Sequence, residues 1–205
     1  MILVIDYGVG NLGSIRKVLR KGGADVEVSG QPEALERAGA LVLPGVGAFD
    51  DAMARLTATG LVEPLERRVL REGVPVLGIC LGMQMLTKGS EEGSSPGLGW
   101  LDAEAVRFRF SAEDKLRVPH IGWNGVSEGR GPLFEQLGPE DRFYFLHSFH
   151  VRCHDRCDVA GTSDYGGEIV CAVQRGNVFG VQFHPEKSQS AGLRLLTNFA
   201  ARVAA

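Results

Sequence analysis

Gly78-Ile79-Cys80-Leu81-Gly82 sets a thiol between two glycines, after the apolar β-rich run that follows Pro75 and before Met83-Gln84-Met85-Leu86, which reads as a helix. The spacing is a cysteine version of the G-x-S-x-G nucleophile elbow. A nucleophile lifted onto so tight a strand-to-helix turn takes a strained backbone, and glycines two residues to either side let neighbouring chain approach closely. The thiol then stands at a helix N-terminus, where the dipole and free N–H groups favour a thiolate. The N–H of the next residue, Leu81, is placed to hold an oxyanion. A buried structural cysteine is the other common use of such a residue.

The choice between the two is made far downstream. Val178-Phe179-Gly180-Val181-Gln182-Phe183 reads as an apolar strand and runs into His184-Pro185-Glu186. Pro185 is expected to hold the segment extended, so that His184 and Glu186 present side chains to one side. A cysteine nucleophile needs a base, and the base needs a carboxylate to fix its tautomer and orientation. Alone, His184 reads as a satisfied core histidine. Beside a cysteine elbow, Cys80, His184 and Glu186 make a complete set of nucleophile, base and orienting acid.

These groups need a scaffold that brings distant segments to one edge. Residues 1–6 are a continuous apolar run closing on Asp6, the pattern of a buried parallel strand. A helix follows, with Asn11 as its cap, Ile15, Val18 and Leu19 at core spacing, and Gly22-Gly23 as its stop. Strands at 25–28 and 40–43, and helices at 32–38, 50–59 and 61–72, continue the alternation up to the Cys80 strand. This order predicts an α/β fold, a parallel sheet with helices on both faces. Ligands on such sheets bind beyond the carboxyl ends of the strands. Asp6, the Pro44-Gly45-Val46-Gly47 loop and Cys80 all fall there.

The later chain has a different texture. It offers a polar loop at 90–97, an exposed alternating strand at 101–110 and a strand with a polar break at 143–150. Antiparallel strands follow near 158–163, 168–174 and 177–183, then a closing helix at 191–203. Pro119-His120-Ile121-Gly122-Trp123-Asn124 puts a Trp between Gly and Asn, either as an exposed interface anchor or as core filling. All 205 residues suit one domain, 1–205.

A net charge of −3 gives no bulk attraction to nucleic acid. No apolar run approaches the roughly 20 residues that span a bilayer, and the apolar start is too short for a signal core, so the cytoplasm is the simplest location. Four cysteines could form two disulfides, yet a chain of this size has no need of them. His150, Cys153, His154 and Cys157 look superficially like a metal cluster, but the intervening Arg152, Asp155 and Arg156 read as solvated, and no metal is expected. Gly8, Gly10 and Gly13 fit G-x-G-x-x-G with Glu27 downstream, a weak dinucleotide signal beside the fuller Cys/His/Glu chemistry.

G-x-C-x-G-x-Q after a strand, together with a late F-H-P-E, resembles the class I glutamine amidotransferases, which share a flavodoxin-like α/β fold. Ile5-Asp6-Tyr7-Gly8-Val9-Gly10-Asn11-Leu12, Pro44-Gly45-Val46-Gly47-Ala48-Phe49 and His184-Pro185-Glu186-Lys187-Ser188 are similar to the branch formed by glutaminase subunits of imidazole glycerol phosphate synthases. The resemblance covers essentially the whole chain. It implies a mostly parallel sheet with an antiparallel C-terminal extension, and hydrolysis of glutamine through Cys80, His184 and Glu186. It implies an oxyanion hole from the N–H groups of Val46 and Leu81, with the Val46 peptide reorienting before it donates.

By the same resemblance Gly47, Gln84, Glu92, His147, Ser148 and Phe149 contact glutamine. Glu92 answers the α-ammonium, Gln84 the carboxamide or carboxylate end, and the 147–149 segment the α-carboxylate, with only a main-chain contact at Phe149. Solvated alternatives stand for Glu92 and for Gln84. No cofactor is implied. The implied partner is a (β/α)8-barrel cyclase in a heterodimer, with Asn11, Trp123 and Lys187 at the interface, although Lys187 also reads as a plain solvated lysine. A glutaminase serving another synthase, such as that of pyridoxal phosphate, and a flavodoxin-like binding protein with a reactive cysteine are the rival readings.

Overall fold

The computed structural model describes residues 1–111 and 113–203, so Ala112 and the end of the expected 1–205 span lie outside the described residues. The chain runs β1 (Ile2–Ile5), α1 (Leu12–Lys21), β2 (Val26–Ser29), α2 (Pro32–Arg37), β3 (Ala40–Gly45), α3 (Phe49–Ala58), α4 (Val62–Glu66), β4 (Val76–Cys80) and α5 (Leu81–Met85). It continues through β5 (Ala103–Arg107), β6 (His120–Gly125), β7 (Arg142–His147), β8 (Phe149–Cys153), β9 (Val159–Asp164), β10 (Glu168–Arg175) and β11 (Val178–Val181) to α6 (Gln189–Ala200).

The main sheet has the order β2-β1-β3-β4-β11-β10-β8-β5, with β9 also on β10. The first five strands pair in parallel, the 2-1-3-4-5 order of a flavodoxin-like sheet. The rest pair antiparallel, as expected of the C-terminal part. Strands β1, β3 and β4 are buried along their whole length because helices cover both faces. Their period of two divides the core: Leu3, Ile5, Leu41 and Leu43 meet α2 and α3 on one face. Ile2, Val4, Val42 and Ile79 meet α1 and α6 on the other.

Four expectations change. The 61–72 helix is α4 followed by a wider π-helical turn over Arg67–Arg71. The 101–110 strand narrows to β5, which is not an exposed strand, since Ala103 and Ala105 are fully buried against the sheet. The 143–150 strand is two strands broken at Ser148, because β7 pairs with β6 in a separate ribbon while β8 crosses to the main sheet. Asn11 precedes α1 and is exposed, but its side chain makes no cap hydrogen bond.

Two glycines allow α5 to land on the strands beneath it. A Cβ on Gly82 would lie 1.9 Å from the Leu43 carbonyl oxygen, and one on Gly78 would lie 2.7 Å from the carbonyl oxygen of Gly82. Backbone on both sides leaves no flexible neighbour to yield. Gly82→Ala is therefore expected to lower unfolding free energy by about 1–3 kcal/mol, the range for overpacking a tight core, as read by urea denaturation. An unchanged midpoint would mean that the helix can move away from β3.

Candidate active site

The carboxyl end of β4 carries Cys80 into a conformation that a side chain rarely adopts, φ 56° and ψ −113°, with α5 starting at the next residue. Such backbone costs about 1–3 kcal/mol and persists only where the surroundings over-determine it. The thiol is 7% exposed. Gln182 Nε2–H points at Sγ from 3.8 Å and the Leu146 carbonyl lies 3.9 Å away.

His184 follows β11, the parallel neighbour of β4. Its Nδ1 is 2.9 Å from Glu186 Oε1. A carboxylate can only accept, so Nδ1 donates and Nε2 is left for Cys80. The route to this pair differs from the expected one. Two extended residues place their side chains roughly 6.6 Å apart, too far for a hydrogen bond. The chain instead turns: Pro185–Lys187 is a 3-10 turn with Pro185 at its start, where a fixed φ favours helix, and Glu186 folds back onto the imidazole. Both side chains are buried. Burial alone would lower the His184 pKa, but the neighbouring Cys80 and the hydrogen-bonded Glu186 push it up to about 9. Glu186 Oε2 is buried with no hydrogen-bond partner among the described residues, which carries a desolvation cost.

A cavity of about 260 Å³ opens over the thiol. That is below the ~300–1,000 Å³ of sites for drug-sized ligands, and suits a small metabolite. Val46, Gly47, Cys80, Leu81, Gln84, Glu92, His147, Ser148, Phe149, His184 and Lys187 line it. Glu186 is paired with His184, and neither Asn11 nor Trp123 is among the lining residues. A larger hollow of about 500 Å³ beside Asn124 and Asp164 has no cysteine or histidine in its lining.

Several polar groups have duties that sequence alone did not reveal. Gln84 is buried, not solvated, and its amide nitrogen donates to the Phe149 carbonyl and to Gln182 Oε1, both at 3.1 Å. Glu92 is exposed at the cavity edge, yet its carboxylate accepts the Phe49 N–H at the start of α3 at 2.8 Å. Asp50 answers from that helix by accepting the N–H groups of Ser94 and Ser95, so the 90–97 loop is clipped to α3. Tyr7, buried at the end of β1, donates its hydroxyl to the Pro44 carbonyl at 2.6 Å and braces the loop that carries Val46 and Gly47. Burial and the nearby Cys80 raise its pKa, which keeps it a donor.

The His147 ring is likewise occupied. Nδ1 donates to the Phe149 carbonyl at 2.8 Å, and Nε2 accepts from His120 Nδ1 at 3.0 Å. Both ring nitrogens therefore already have protein partners. Burial pushes His147 down to about 3 and His120 down to about 4, so both rings are neutral. His120 stacks on Tyr165 and Phe145. His154, from the suspected metal cluster, instead bonds Asp102 at 2.9 Å, and Glu27 of the glycine-loop alternative pairs with Arg37. All four cysteines are free.

Around the mouth the surface is apolar. Val46, Val118, Ile121, Trp123 and Leu146 are exposed, which removes core filling as the role of Trp123. Trp123 packs edge-on to Tyr144, whose ring also lies 5.5 Å under the Lys187 ammonium.

The profile of the family described as glutamine amidotransferase class-I matches residues 3–203, and the chain belongs to that family. It is 45% identical to an imidazole glycerol phosphate synthase subunit HisH 2 of Methanococcus maripaludis, over 97% of this chain and 98% of the relative. It is 47% identical to the HisH 2 subunit of Pseudomonas aeruginosa, over the same shares of each. Among solved structures, a glutamine amidotransferase superposes with a TM-score of 0.75 at 22% identity, covering 100% of this chain and 99% of that one. PurLQS of Thermotoga maritima gives 0.70 at 17%, covering 99% and 96%. These two are likenesses of fold.

The histidines set opposite pH limbs. Unfolded His120 and His147 would take up protons near pH 6.5, which the native state refuses until about 4 and 3. Stability is therefore expected to fall as pH drops below 6.5. His184 works the other way: its contribution is complete below about 6.5 and is lost as pH rises through about 9. Urea titrations across pH 4.5–9.5 should show His147→Gln flattening the acid limb and His184→Gln the alkaline limb, each by on the order of 2–3 kcal/mol. Unchanged slopes would contradict the assignment.

Proposed function

We propose that this chain is the glutaminase subunit of an imidazole glycerol phosphate synthase, acting in the cytoplasm in histidine biosynthesis. It hydrolyses glutamine to glutamate and ammonia. The Cys80 thiolate attacks the side-chain carboxamide, and the N–H groups of Val46 and Leu81 hold the developing oxyanion. His184, oriented by Glu186, protonates the leaving ammonia and then activates the water that releases glutamate. Glu92 answers the α-ammonium of the substrate, while Gly47, Gln84 and the main chain of His147, Ser148 and Phe149 hold the remainder. Released ammonia passes to a (β/α)8-barrel cyclase subunit docked on the face carrying Asn11, Trp123 and Lys187, which makes imidazole glycerol phosphate and an aminoimidazole carboxamide ribotide.

The observation that carries this reading is a single one: a thiol on a strained elbow and an imidazole whose Nδ1 donates to a buried carboxylate line one cavity of about 260 Å³. A glutaminase for another synthase would share that chemistry, and the names of relatives above 40% identity over nearly full length favour the imidazole-forming system. Glutamate release is the test, measured for the chain alone and with a cyclase barrel carrying its ribonucleotide ligand. Strong release is expected only in the liganded complex, and Cys80→Ser should lose it by ~10³-fold or more. Equal release without the barrel would sink the gating by a partner. Absence of release in every mixture would sink the glutaminase.

A further inference from the structure

Ser188 stands at the N-cap of α6, where a serine hydroxyl ordinarily accepts an N–H from the first helical turn. It makes no such bond here. The hydroxyl is turned inward and buried, donating to the main-chain carbonyl of His184 at 2.6 Å and accepting the Tyr144 N–H at 3.0 Å. Tyr144 in turn accepts the His184 N–H at 2.8 Å. An antiparallel pair of residues normally exchanges two direct N–H···O bonds. Between Tyr144 and His184 only one is direct, and the Ser188 hydroxyl is inserted into the other.

We propose that Ser188 is a positioning residue: its inserted hydroxyl fastens the backbone of His184 to β7 and so sets where the imidazole meets Cys80. The residue is itself held at both ends, its N–H on the Pro185 carbonyl and its carbonyl on the Gly192 N–H, each at 3.0 Å. The hydroxyl is thus a fixed spacer. Because Tyr144 and its cross-strand neighbour Trp123 share the β6–β7 ribbon, the same fastening ties the exposed apolar face to the base.

The test compares Ser188→Ala, Ser188→Thr and the exposed neighbour control Ser190→Ala in the full chain. One readout is the His184 titration by NMR of labelled histidine; the other is kcat and KM for glutamate release in the cyclase complex, which alone rests on the glutaminase reading. Ser188→Ala is expected to move the His184 midpoint from about 9 down toward the ordinary 6.5. It should lower kcat about tenfold or more while KM stays within about twofold, the signature of a displaced catalytic group. Ser188→Thr should restore both, and Ser190→Ala should change neither. If Ser188→Ala does not fold, Ser188→Cys, similar in size but a weak hydrogen-bonding group, is read the same way. A variant that melts earlier yet keeps the midpoint and kcat would overturn the proposal, as would Thr behaving like Ala. A midpoint that falls while the unsubstituted complex also releases no glutamate would sustain the positioning role and overturn the glutaminase.

Discussion

The left-handed backbone of Cys80 is the constraint on which the rest of the site depends. It is sustained by the register of three parallel strands, with Gly45 of β3 opposite Cys80, and Gly180 and Val181 of β11 opposite Gly78 and Ile79. The Pro44 loop, the nucleophile and the strand leading to His184 therefore leave the sheet at one level. Side-chain-free positions at Gly78 and Gly82 let α5 close over that edge. A one-residue slip in either pairing would turn these strands inside out, so the hydrophobic division of the core also fixes the geometry of the chemistry.

Around this edge, identical side chains behave in opposite ways because their surroundings differ. His184 is buried but has Cys80 and Glu186 beside it, and it holds its proton. His120 and His147 lie among Phe108, Phe145 and Tyr165, and they refuse theirs. The neutral pair works as a rigid chain of hydrogen bonds ending on the Phe149 carbonyl, which Gln84 also holds from the elbow helix. Charge is kept for the reacting group, and neutral hydrogen bonds hold the wall of the cavity.

What the sequence made legible follows from range. Cys80 between its glycines, His184 near Glu186, and the alternation of strand and helix are local patterns, and the parallel half of the sheet followed from them. Tyr7 on Pro44, Gln182 behind Cys80, His120 on His147 and the clip between Asp50 and the 90–97 loop join residues far apart in the chain. No local periodicity announces them. Gln182, the one polar residue in an otherwise apolar run, was the available signal. Pro185 was misread because a proline suits both an extended segment and the first residue of a helical turn, and only the 2.9 Å bond decides.

The central claim is that Cys80, alone among four cysteines, is built to attack a glutamine-like carbonyl. The others are unsuited: burial pushes Cys153 up to about 11 and raises Cys171 further, while the exposed Cys157 is raised by its hydrogen bond to Asp155. Mass spectrometry of the chain after exposure to an electrophilic glutamine analogue tests this directly. The account predicts one adduct, on Cys80, suppressed by excess glutamine. Labelling that falls on Cys157 or Cys153, or that glutamine does not suppress, would contradict it.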